Sequence, residues 1–559
     1  MYNNFTFPLK ITDYNRVYFE EVKEEAEKLY DEPIRSLTYS TFKLYGQTGS
    51  REEYEQEYML HRKMLCAFTA MVVTEQGEKW LDKLCDAVWA VCDEFTWVLP
   101  AHIWKHMDTP HKIATGSIDL FSAETSIALS EIYHILGERL PLIIRQRIEY
   151  EIDRRIIIPY IESKPKFGIS NWSGVCGCGV TAALVYMGKD KEFVEIKDHL
   201  LSNLKDFLDS FPDDGCCLEG SLYWFYGFSH FVFAAELLRQ YTNGEIDYFK
   251  DEKVKKIAYF SNNMYLEDNF CISFSDSPHT YDFDMGIMCF LAQKYDGITV
   301  PPLKYATKFS NDARYRFGPF IRNLYWACEL PMAQSKTGYY YYDKSEWYIN
   351  RKENYIFAAK SGHNLEPHNH NDVGSFLVFS DGEFILDDIG WERYVASYFG
   401  PGRYTHNAPA SRSHCVPLIN GTEQLEGRKH KGVVTAVGEN TFAFDYEMAY
   451  DVPELEKLSR RFELTDDGVV IKESVKGTVD NVVYRFVTRI KPELSNGVVH
   501  IKNFTLSCNN KADIKISDFE FEPRFAGFGS EAHMYTAYVV DFMPEKNTGE
   551  TEFVLKKVL

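Results

Sequence analysis

The sequence lacks the features of a membrane-spanning, secreted or nucleic-acid-binding protein. Its 559 residues contain no apolar run of the roughly 20 residues that a bilayer-spanning helix needs. The N-terminus has no basic segment followed by an apolar core, which disfavours a secretory signal and predicts a cytoplasmic protein. The formal net charge of −21 disfavours nucleic acid and anionic membranes as partners. An acidic ligand would need a local cluster of cationic residues or a metal, and a homodimer is compatible with the composition.

Patterns typical of disulfide frameworks and zinc ribbons are also missing. The twelve cysteines are scattered, and no two of them have the CxxC spacing. Cys176, Cys178, Cys216 and Cys217 lie in apolar or helix-like segments, which is typical of free buried thiols in a reducing compartment.

Strand-like alternation of apolar and polar residues is nearly absent before residue 335. In that half, apolar residues recur every three or four positions, as in EQGEKWLDKLCDAVWAVCDEF, and short turn signals separate the segments. Long helices joined by short loops pair antiparallel, so residues 1–335 are predicted to form a bundle or a ring of helix pairs. Residues 336–559 give short alternating segments with Asp-Gly and Asn-Gly turns, which predicts an antiparallel β-sandwich.

Histidine and acidic residues are concentrated in residues 363–424. His368 and His370 are two positions apart, so in an extended chain both imidazoles point to the same side. Imidazoles together with a carboxylate form a ligand set that suits zinc or manganese. The density of polar groups in an otherwise buried-looking segment favours a functional site there.

A β-hairpin is predicted within the same segment, in FLVFSDGEFILDD. The Asp-Gly pair at residues 381–382 indicates a type I′ turn, and the resulting register places Asp387 opposite Phe376. Residues 370 and 376 are an even number of positions apart, so in an extended strand His370 and Asp387 lie on the same face. The two side chains meet only if the chain before Gly374 folds back, which a glycine permits.

The helical half contains three polar segments. Asn171 opens a small-residue helix, where it is either a site residue or an ordinary N-cap. A helix from Glu219 would place four polar residues along one stripe: Glu219, Tyr223, Tyr226 and His230. An aromatic core stripe is the competing interpretation, but an acid, two phenols and an imidazole are costly to bury. The loop ending at His102 either lines a sugar subsite or caps a helix pair.

The sequence resembles the heparinase II/III-type polysaccharide lyases in six segments. They are DLFSAETSIALSEIY, NWSGVC, EGSLYWFYG, HNHNDVGSF, the DDIG after the hairpin, and RSHCVPLINGTEQ. The resemblance as a whole extends over about residues 60–425. The resemblance implies an incomplete α/α toroid, here residues 1–335, followed by an antiparallel β-sandwich, residues 336–559. It also implies cleavage of uronic-acid-containing polysaccharides by β-elimination.

The resemblance further implies roles for single residues. Asn171 would meet the substrate carboxylate, His368 would be the catalytic histidine, and Tyr226 the catalytic tyrosine with Tyr223 as its rival. The metal ligands would be His370, Asp387 and His414, holding zinc, or manganese or calcium, in a structural rather than a catalytic role. Two positions depart from the family pattern, because Trp172 stands where some members carry His and Cys415 where Asn is common.

Substrate contacts are predicted from the residues around these positions. Arg403 follows Gly400-Pro401-Gly402, a tight loop that would present its guanidinium. The other predicted contacts are Glu219, Trp172, His102 and Tyr398.

The chemistry of β-elimination explains why such groups are needed. The C5 proton of a uronate is weakly acidic, and neutralising the adjacent carboxylate stabilises the enolate-like intermediate. Asn171 is expected to do this with help from His368 or Arg403. Tyr226 then acts as both base and acid, or His368 acts as base and Tyr226 as acid; the sequence leaves both divisions open.

Several further functions are compatible with the sequence. An α/α-barrel glycoside hydrolase would use carboxylates among Asp213, Asp214 and Glu219. An alginate-type uronide lyase and a non-catalytic oligosaccharide-binding protein are compatible with it as well. Basic residues for many sulfates are not concentrated, which favours glycosaminoglycan chains with little sulfate, taken up as oligosaccharides.

Overall fold

The computed structural model describes residues 5–74, 78–103, 108–330, 337–393, 396–400, 402–522 and 534–558. Helices dominate the first half and antiparallel strands the second, which confirms the predicted α + β class. The predicted boundary between residues 335 and 336 lies outside the described residues and stays a prediction. Among the described helices, none combines the length and the apolar character needed to cross a bilayer.

The described helices follow one another closely along the first half. They are α1 Arg16–Leu29, α2 Tyr39–Phe42, α3 Leu44–Thr48, α4 Glu52–Thr74, α5 Glu78–Asp93, α6 His111–Gly116, α7 Leu120–Leu136, α8 Leu142–Ile152, α9 Ile158–Ser163, α10 Asn171–Tyr186, α11 Asp190–Leu208, α12 Ser221–Tyr223, α13 Ser229–Tyr241, α14 Glu252–Met264, α15 Met285–Lys294 and α16 Phe317–Tyr325. Two π-helical turns, Asp153–Ile157 and Trp224–Phe228, join α8 to α9 and α12 to α13.

Helices α7 and α10 pack closely together. Two residues of the candidate site, Asp119 and Glu124, lie at the start of α7. Asp119 begins α7 with a capping box, in which its carboxylate accepts from the Ser122 backbone N–H at 2.7 Å. A Cβ atom at Gly179 of α10 would lie 2.6 Å from the Ala123 carbonyl oxygen of α7. Only glycine therefore permits this approach, which packs Ala123, the residue before Glu124, against Val175 and Cys176 of α10.

The described strands of the second half are two to ten residues long. They are β1 Gly338–Tyr342, β2 Trp347–Arg351, β3 Ile356–Lys360, β4 His363–Asn364, β5 Phe376–Ser380, β6 Glu383–Leu386, β7 Leu418–Ile419, β8 Gly427–Lys431, β9 Val433–Gly438, β10 Thr441–Asp445, β11 Leu455–Leu464, β12 Gly468–Gly477, β13 Val482–Thr488, β14 Glu493–Ser495, β15 Val498–Ile501, β16 Phe504–Cys508, β17 Ala512–Phe521, β18 Tyr535–Pro544 and β19 Gly549–Lys557.

Antiparallel pairing arranges these strands in four sheets. Their orders are β1-β2-β3-β5-β6, β14-β15-β16-β19-β12-β11-β10-β9, β17-β18-β13-β7 and β4-β8. In the first sheet, β2, β3 and β5 are buried on both faces: Trp347 and Ile349 of β2 belong to the core of the helical half, whereas Tyr348 belongs to the core of the β-half. This sheet therefore joins the two cores, which explains why its strands read as apolar on both faces.

Polar contacts tie the helical half to the β-half. The Asp214 carboxylate, after α11, accepts from the backbone N–H groups of Lys344 and Ser345, each at 2.8 Å. The Ser273 hydroxyl, in the segment between α14 and α15, donates to the Asp388 carbonyl at 2.9 Å. The same segment contributes to the candidate site described next.

Candidate functional site

The segment Glu219–His230 follows a helical path with one wide turn. The π-helical turn Trp224–Phe228 interrupts the regular stripe predicted from the sequence, and such turns recur at functional sites. Trp224 anchors the turn by donating from its indole nitrogen to the Ile257 carbonyl at 2.7 Å. His230 is buried against the Tyr226 carbonyl, with Nδ1 at 2.8 Å from it, so it lies behind the turn and not in the site. Burial lowers the pKa of His230 to about 3, which keeps it neutral.

Tyr226 faces the helical half. Its hydroxyl donates to Oε1 of Glu124 at 2.7 Å, and the Arg316 guanidinium lies 4.6 Å from the centre of its ring. A Cβ atom at Gly227 would lie 3.1 Å from the Cβ of Asn171, so Asn171 packs directly beside the Tyr226 turn. The predicted neighbours Asn171 and Tyr226 are therefore brought together.

Asn171 is the first residue of α10, and Ser170 holds the N-cap position instead. The Asn171 amide is half-buried and makes no hydrogen bond to any residue that the structure describes. The Trp172 ring lies beside it, 5.0 Å from the His102 ring. His102 is held by Asp119, whose Oδ2 lies 2.7 Å from its Nδ1. The predicted pair of His102 and Trp172 thus forms one part-exposed aromatic surface next to Asn171.

His368 lies at the junction of the two halves. Its imidazole stacks on the Tyr223 ring with centroids 4.1 Å apart, and its Nε2 is 3.6 Å from Oε2 of Glu219. Its backbone φ is +56°, which is uncommon for a residue other than glycine and is typical of sites that constrain the chain. Burial raises the pKa of Glu219, and the His368 charge opposes that rise in part.

Asp276 organises the site and was not predicted. Its Oδ2 lies 2.7 Å from Nδ1 of His368 and 3.3 Å from Nη2 of Arg403, and its Oδ1 lies 3.1 Å from Nε2 of His370 and 2.7 Å from the Tyr398 hydroxyl. Burial alone would raise its pKa, but the hydrogen bonds from His368 and His370 hold the pKa of Asp276 well below its usual value. The carboxylate is fully buried, so its role is to position these four groups.

Close packing delivers Asp276 to this position. The Ser221 backbone N–H donates to the Ser277 hydroxyl at 3.0 Å. A Cβ atom at Gly220, whose φ is +92°, would lie 2.0 Å from that hydroxyl oxygen. A glycine at position 220 was a weak sequence signal that another segment packs closely there. Nothing in the sequence pointed to residue 276.

Two predicted substrate contacts turn out to be internal supports. Tyr398 has no exposed surface and donates to Asp276, so the prediction that it touches substrate is wrong. Arg403 is also largely enclosed and donates to the carbonyls of Asn369 and Tyr398, at 2.9 Å and 3.1 Å. Its guanidinium therefore braces the loop that carries His368.

A group of three buried residues could hold a metal ion: His370, Asp388 and His414. One ligand atom from each lies within 4.8 Å of the others. Nδ1 of His370 is buried without a hydrogen-bond partner, while its Nε2 is held by Asp276. A carboxylate on the far nitrogen is the usual support of a metal-binding imidazole, and two imidazoles with a carboxylate suit zinc. The donor set thus fits a divalent cation.

The predicted ligand Asp387 is wrong by one position. Asp387 is buried on the other side of the chain, where Oδ1 lies 2.8 Å from Nε2 of His279 and Oδ2 accepts from Arg489 at 2.6 Å. The hairpin turn is as predicted, but the register shifts after the Phe379–Phe384 pair, so that Val378 pairs with Leu386. This β-bulge reverses the alternation of side chains, and Asp388 takes the predicted place.

The backbone before β5 folds back as predicted. Gly374 has a φ of +92°, and its N–H donates to the Lys360 carbonyl at 3.0 Å. The turn returns His370 toward the end of β6, where Asp388 lies.

Two of the three carboxylates considered for a glycoside hydrolase lie outside the site. Asp213 is exposed and pairs with Lys253 at 3.2 Å, whereas Asp214 is buried in the contact with the β-half described above. Of the three acidic residues considered, only Glu219 faces His368.

The whole structure is similar to several solved structures. A heparinase III shares 12% identity and a TM-score of 0.64, with 99% of this chain and 92% of that chain covered. Heparan sulfate lyase HepC from Pedobacter heparinus shares 14% identity and a TM-score of 0.61, with 97% of this chain and 88% of that chain covered. The fold is that of these lyases. Chondroitin AC lyase from Streptomyces coelicolor A3 shares 11% identity and a TM-score of 0.57, with 99% of this chain and 81% of that chain covered. These matches confirm the predicted toroid and β-sandwich, whereas no family model and no curated protein matches the sequence.

Proposed function

We propose that the protein is a polysaccharide lyase that cleaves uronic-acid-containing glycans, of glycosaminoglycan type, by β-elimination. The observation that carries this proposal is the convergence of both halves on one site, where Tyr223 of α12 stacks on His368 of the β-half at 4.1 Å. The similar solved structures include a heparinase III, a heparan sulfate lyase and a chondroitin AC lyase, which supports the same class.

Asn171 is the proposed contact for the uronate carboxylate. It begins a helix of 16 residues, whose N-terminus carries a partial positive charge and attracts anions. Its amide has no competing hydrogen bond within the described residues, so it can donate to a carboxylate oxygen. That bond strengthens as negative charge develops on the enolate-like intermediate, which is what lowers the barrier.

Tyr226 is the proposed acid and base. Burial raises the pKa of Tyr226, and the Arg316 guanidinium over its ring opposes that rise. Asn171 beside it would place C5 of the sugar within reach. Where the C5 hydrogen and the C4 oxygen lie on one side of the sugar, Tyr226 removes the proton and then donates it to the departing oxygen. Where they lie on opposite sides, His368 is the base and Tyr226 the acid.

A divalent cation, in the first place zinc, would be held by His370, Asp388 and His414. When bound, it would supply a fixed positive charge that orders these side chains. His370 and His368 share the Asp276 carboxylate, so fixing the first ring also fixes the direction of the second. The role proposed for the metal is structural.

Charge pairing near the site supports a substrate with little sulfate. Arg316 is paired with Glu124 and Asp312, and Arg403 with Asp276. Both cations are thus already balanced by carboxylates. All twelve cysteines are free thiols, which supports a reducing compartment such as the cytoplasm and a substrate taken up as oligosaccharides.

A panel of uronide oligosaccharides tests the proposal. Elimination creates an unsaturated uronyl end with near-ultraviolet absorbance, whereas a hydrolase creates only reducing ends. We expect absorbance to grow with at least one glycosaminoglycan-type oligosaccharide, and Tyr226→Phe to lower kcat by about 10²-fold or more. Tyr223→Phe keeps the stacked ring and is expected to affect kcat less. Reducing ends without absorbance, or binding without turnover, would refute the lyase assignment.

A further inference from the structure

A carboxylate, a phenol and a guanidinium form a closed group beneath the proposed site. Oε1 of Glu124 accepts the Tyr226 hydroxyl at 2.7 Å and lies 3.3 Å from Nε of Arg316. Glu124 comes from α7, 102 residues before Tyr226, and only 8% of its surface is exposed. The helix therefore buries an acidic side chain whose nearest partner is the phenol that we assign to the chemistry.

The electrostatics allow one proton to be shared within this group. Burial raises the pKa of Glu124 to about 7, although Arg316 and the Tyr226 hydrogen bond oppose the rise. Burial and the Glu124 charge raise the pKa of Tyr226 well above its usual value. Above about pH 7 the pair thus carries one proton and one negative charge, with the proton on the phenol. Other titratable or charged groups that face the pair are Asp119, Asp312, Arg62, Arg314, Cys176 and His230.

Building on the β-elimination proposed above, we propose that Glu124 accepts the Tyr226 proton and so creates the phenolate base. The O–H bond of Tyr226 breaks, an O–H bond forms on Oε1 of Glu124, and the negative charge moves to the phenolate beside Arg316. The phenolate then takes the C5 proton, and the C–H electron pair forms the C4–C5 double bond as the C4–O bond breaks. The phenol proton passes to the departing oxygen, after which Glu124 returns its own proton to the phenolate.

A purely structural acid occurs on the same helix and makes a matched control. Glu131, seven residues after Glu124 on α7, pairs with Arg322 at 2.6 Å and is also buried. It does not touch Tyr226; its other partner is the Tyr186 hydroxyl at 3.5 Å. The two glutamates therefore differ in one respect: only Glu124 is hydrogen-bonded to Tyr226, the proposed base.

The first test compares Glu124→Gln with Glu131→Gln across pH. A glutamine at position 124 still accepts the Tyr226 hydrogen bond but cannot take its proton. We expect kcat to fall by about 10²-fold or more, the loss of activity below about pH 7 to disappear, and KM to change by less than about threefold. Glu124→Asp should retain the pH-dependent rise at a lower kcat. Glu131→Gln should keep both kcat and the profile while losing stability. Wild-type kcat and profile in Glu124→Gln would overturn the inference.

The second test needs no turnover. Fluorotyrosine placed at position 226 of the full chain reports the state of the phenol by fluorine NMR in the absence of substrate. We expect a chemical-shift step near pH 7 in the wild-type background and in Glu131→Gln, and no such step in Glu124→Gln. A missing step in the wild-type background overturns the inference even if uronides are cleaved. A normal step in a protein that eliminates no uronide supports the proton sharing and refutes the lyase function instead.

Discussion

Replacing Asp276 by asparagine tests whether one buried carboxylate positions the proposed catalytic histidine. The carboxylate accepts from His368 and Arg403 on one oxygen and from His370 and Tyr398 on the other. Asparagine keeps one acceptor oxygen and converts the other into an NH2 donor. Two of the four donors therefore face a donor in the variant.

The expected magnitude follows from this count. A buried donor left without an acceptor costs about 1–3 kcal/mol, so the free energy of unfolding should fall by roughly 2–6 kcal/mol. Groups that orient a metal-binding or catalytic imidazole typically contribute about 10–100-fold to activity. Asp276→Asn should thus lower kcat by about that factor, with a smaller change in KM because Asp276 is buried below the substrate surface.

The assay combines urea unfolding with the rate at which near-ultraviolet absorbance grows during cleavage. Asp387→Asn is the control variant. Asp387 is equally buried and also accepts two hydrogen bonds, from His279 and Arg489, but it does not touch His368. We expect the control to lose comparable stability and to keep kcat at temperatures where it is folded. If Asp276→Asn keeps wild-type kcat, or if both variants lose it equally, Asp276 does not position His368.

Three further perturbations have defined outcomes. His414→Ala should lower the content of bound divalent metal, measured by elemental analysis, together with thermal stability; loss of metal with both activity and stability unchanged would contradict a structural role. Gly220→Ala should lower the unfolding free energy by at least about 2 kcal/mol, because its Cβ would meet Ser277 and its φ is positive. Gly244→Ala, with a similar φ and open space, should cost less, and equal losses would contradict the packing argument. Burial raises the pKa of Glu366 to about 7, so wild-type stability falls as pH rises from about 4.5 to 7. Glu366→Gln should gain up to roughly 3 kcal/mol relative to wild type at pH 8 and nothing at pH 4 in urea unfolding; a constant difference would contradict the shift.

The sequence was sufficient wherever a local pattern determines the structure. The helical spacing before residue 335 predicted the helical half, and the Asp-Gly pair predicted the hairpin, in which Asp381 and Gly382 both have positive φ as a type I′ turn requires. Gly374 bends the chain as predicted. These features depend on a few neighbouring residues, so one sequence contains the information.

The errors arose where a single residue changes the register or where burial decides the role. Counting along an ideal hairpin selected Asp387, but the bulge after Phe384 places Asp388 beside His370. No residue in GEFILDD marks that bulge. Tyr398 was expected at the surface because its loop is polar, yet packing beneath Asp276 buries it completely.

Asp276 shows a deeper limit of local patterns. It lies in a stretch between α14 and α15 without helical or strand periodicity, 92 residues before His368. Its partners come from the β-half, whereas Gly220 and Ser221 of the helical half hold its loop in place. The direction of His368 is therefore decided by the packing of two segments that lie about 150 residues apart along the sequence. Tyr226 is likewise fixed by Glu124 of α7 and Arg316 just before α16. Because both proposed proton-transfer groups depend on distant carboxylates, the acidic side chains behind the site, rather than the histidine and tyrosine motifs alone, determine what it can catalyse.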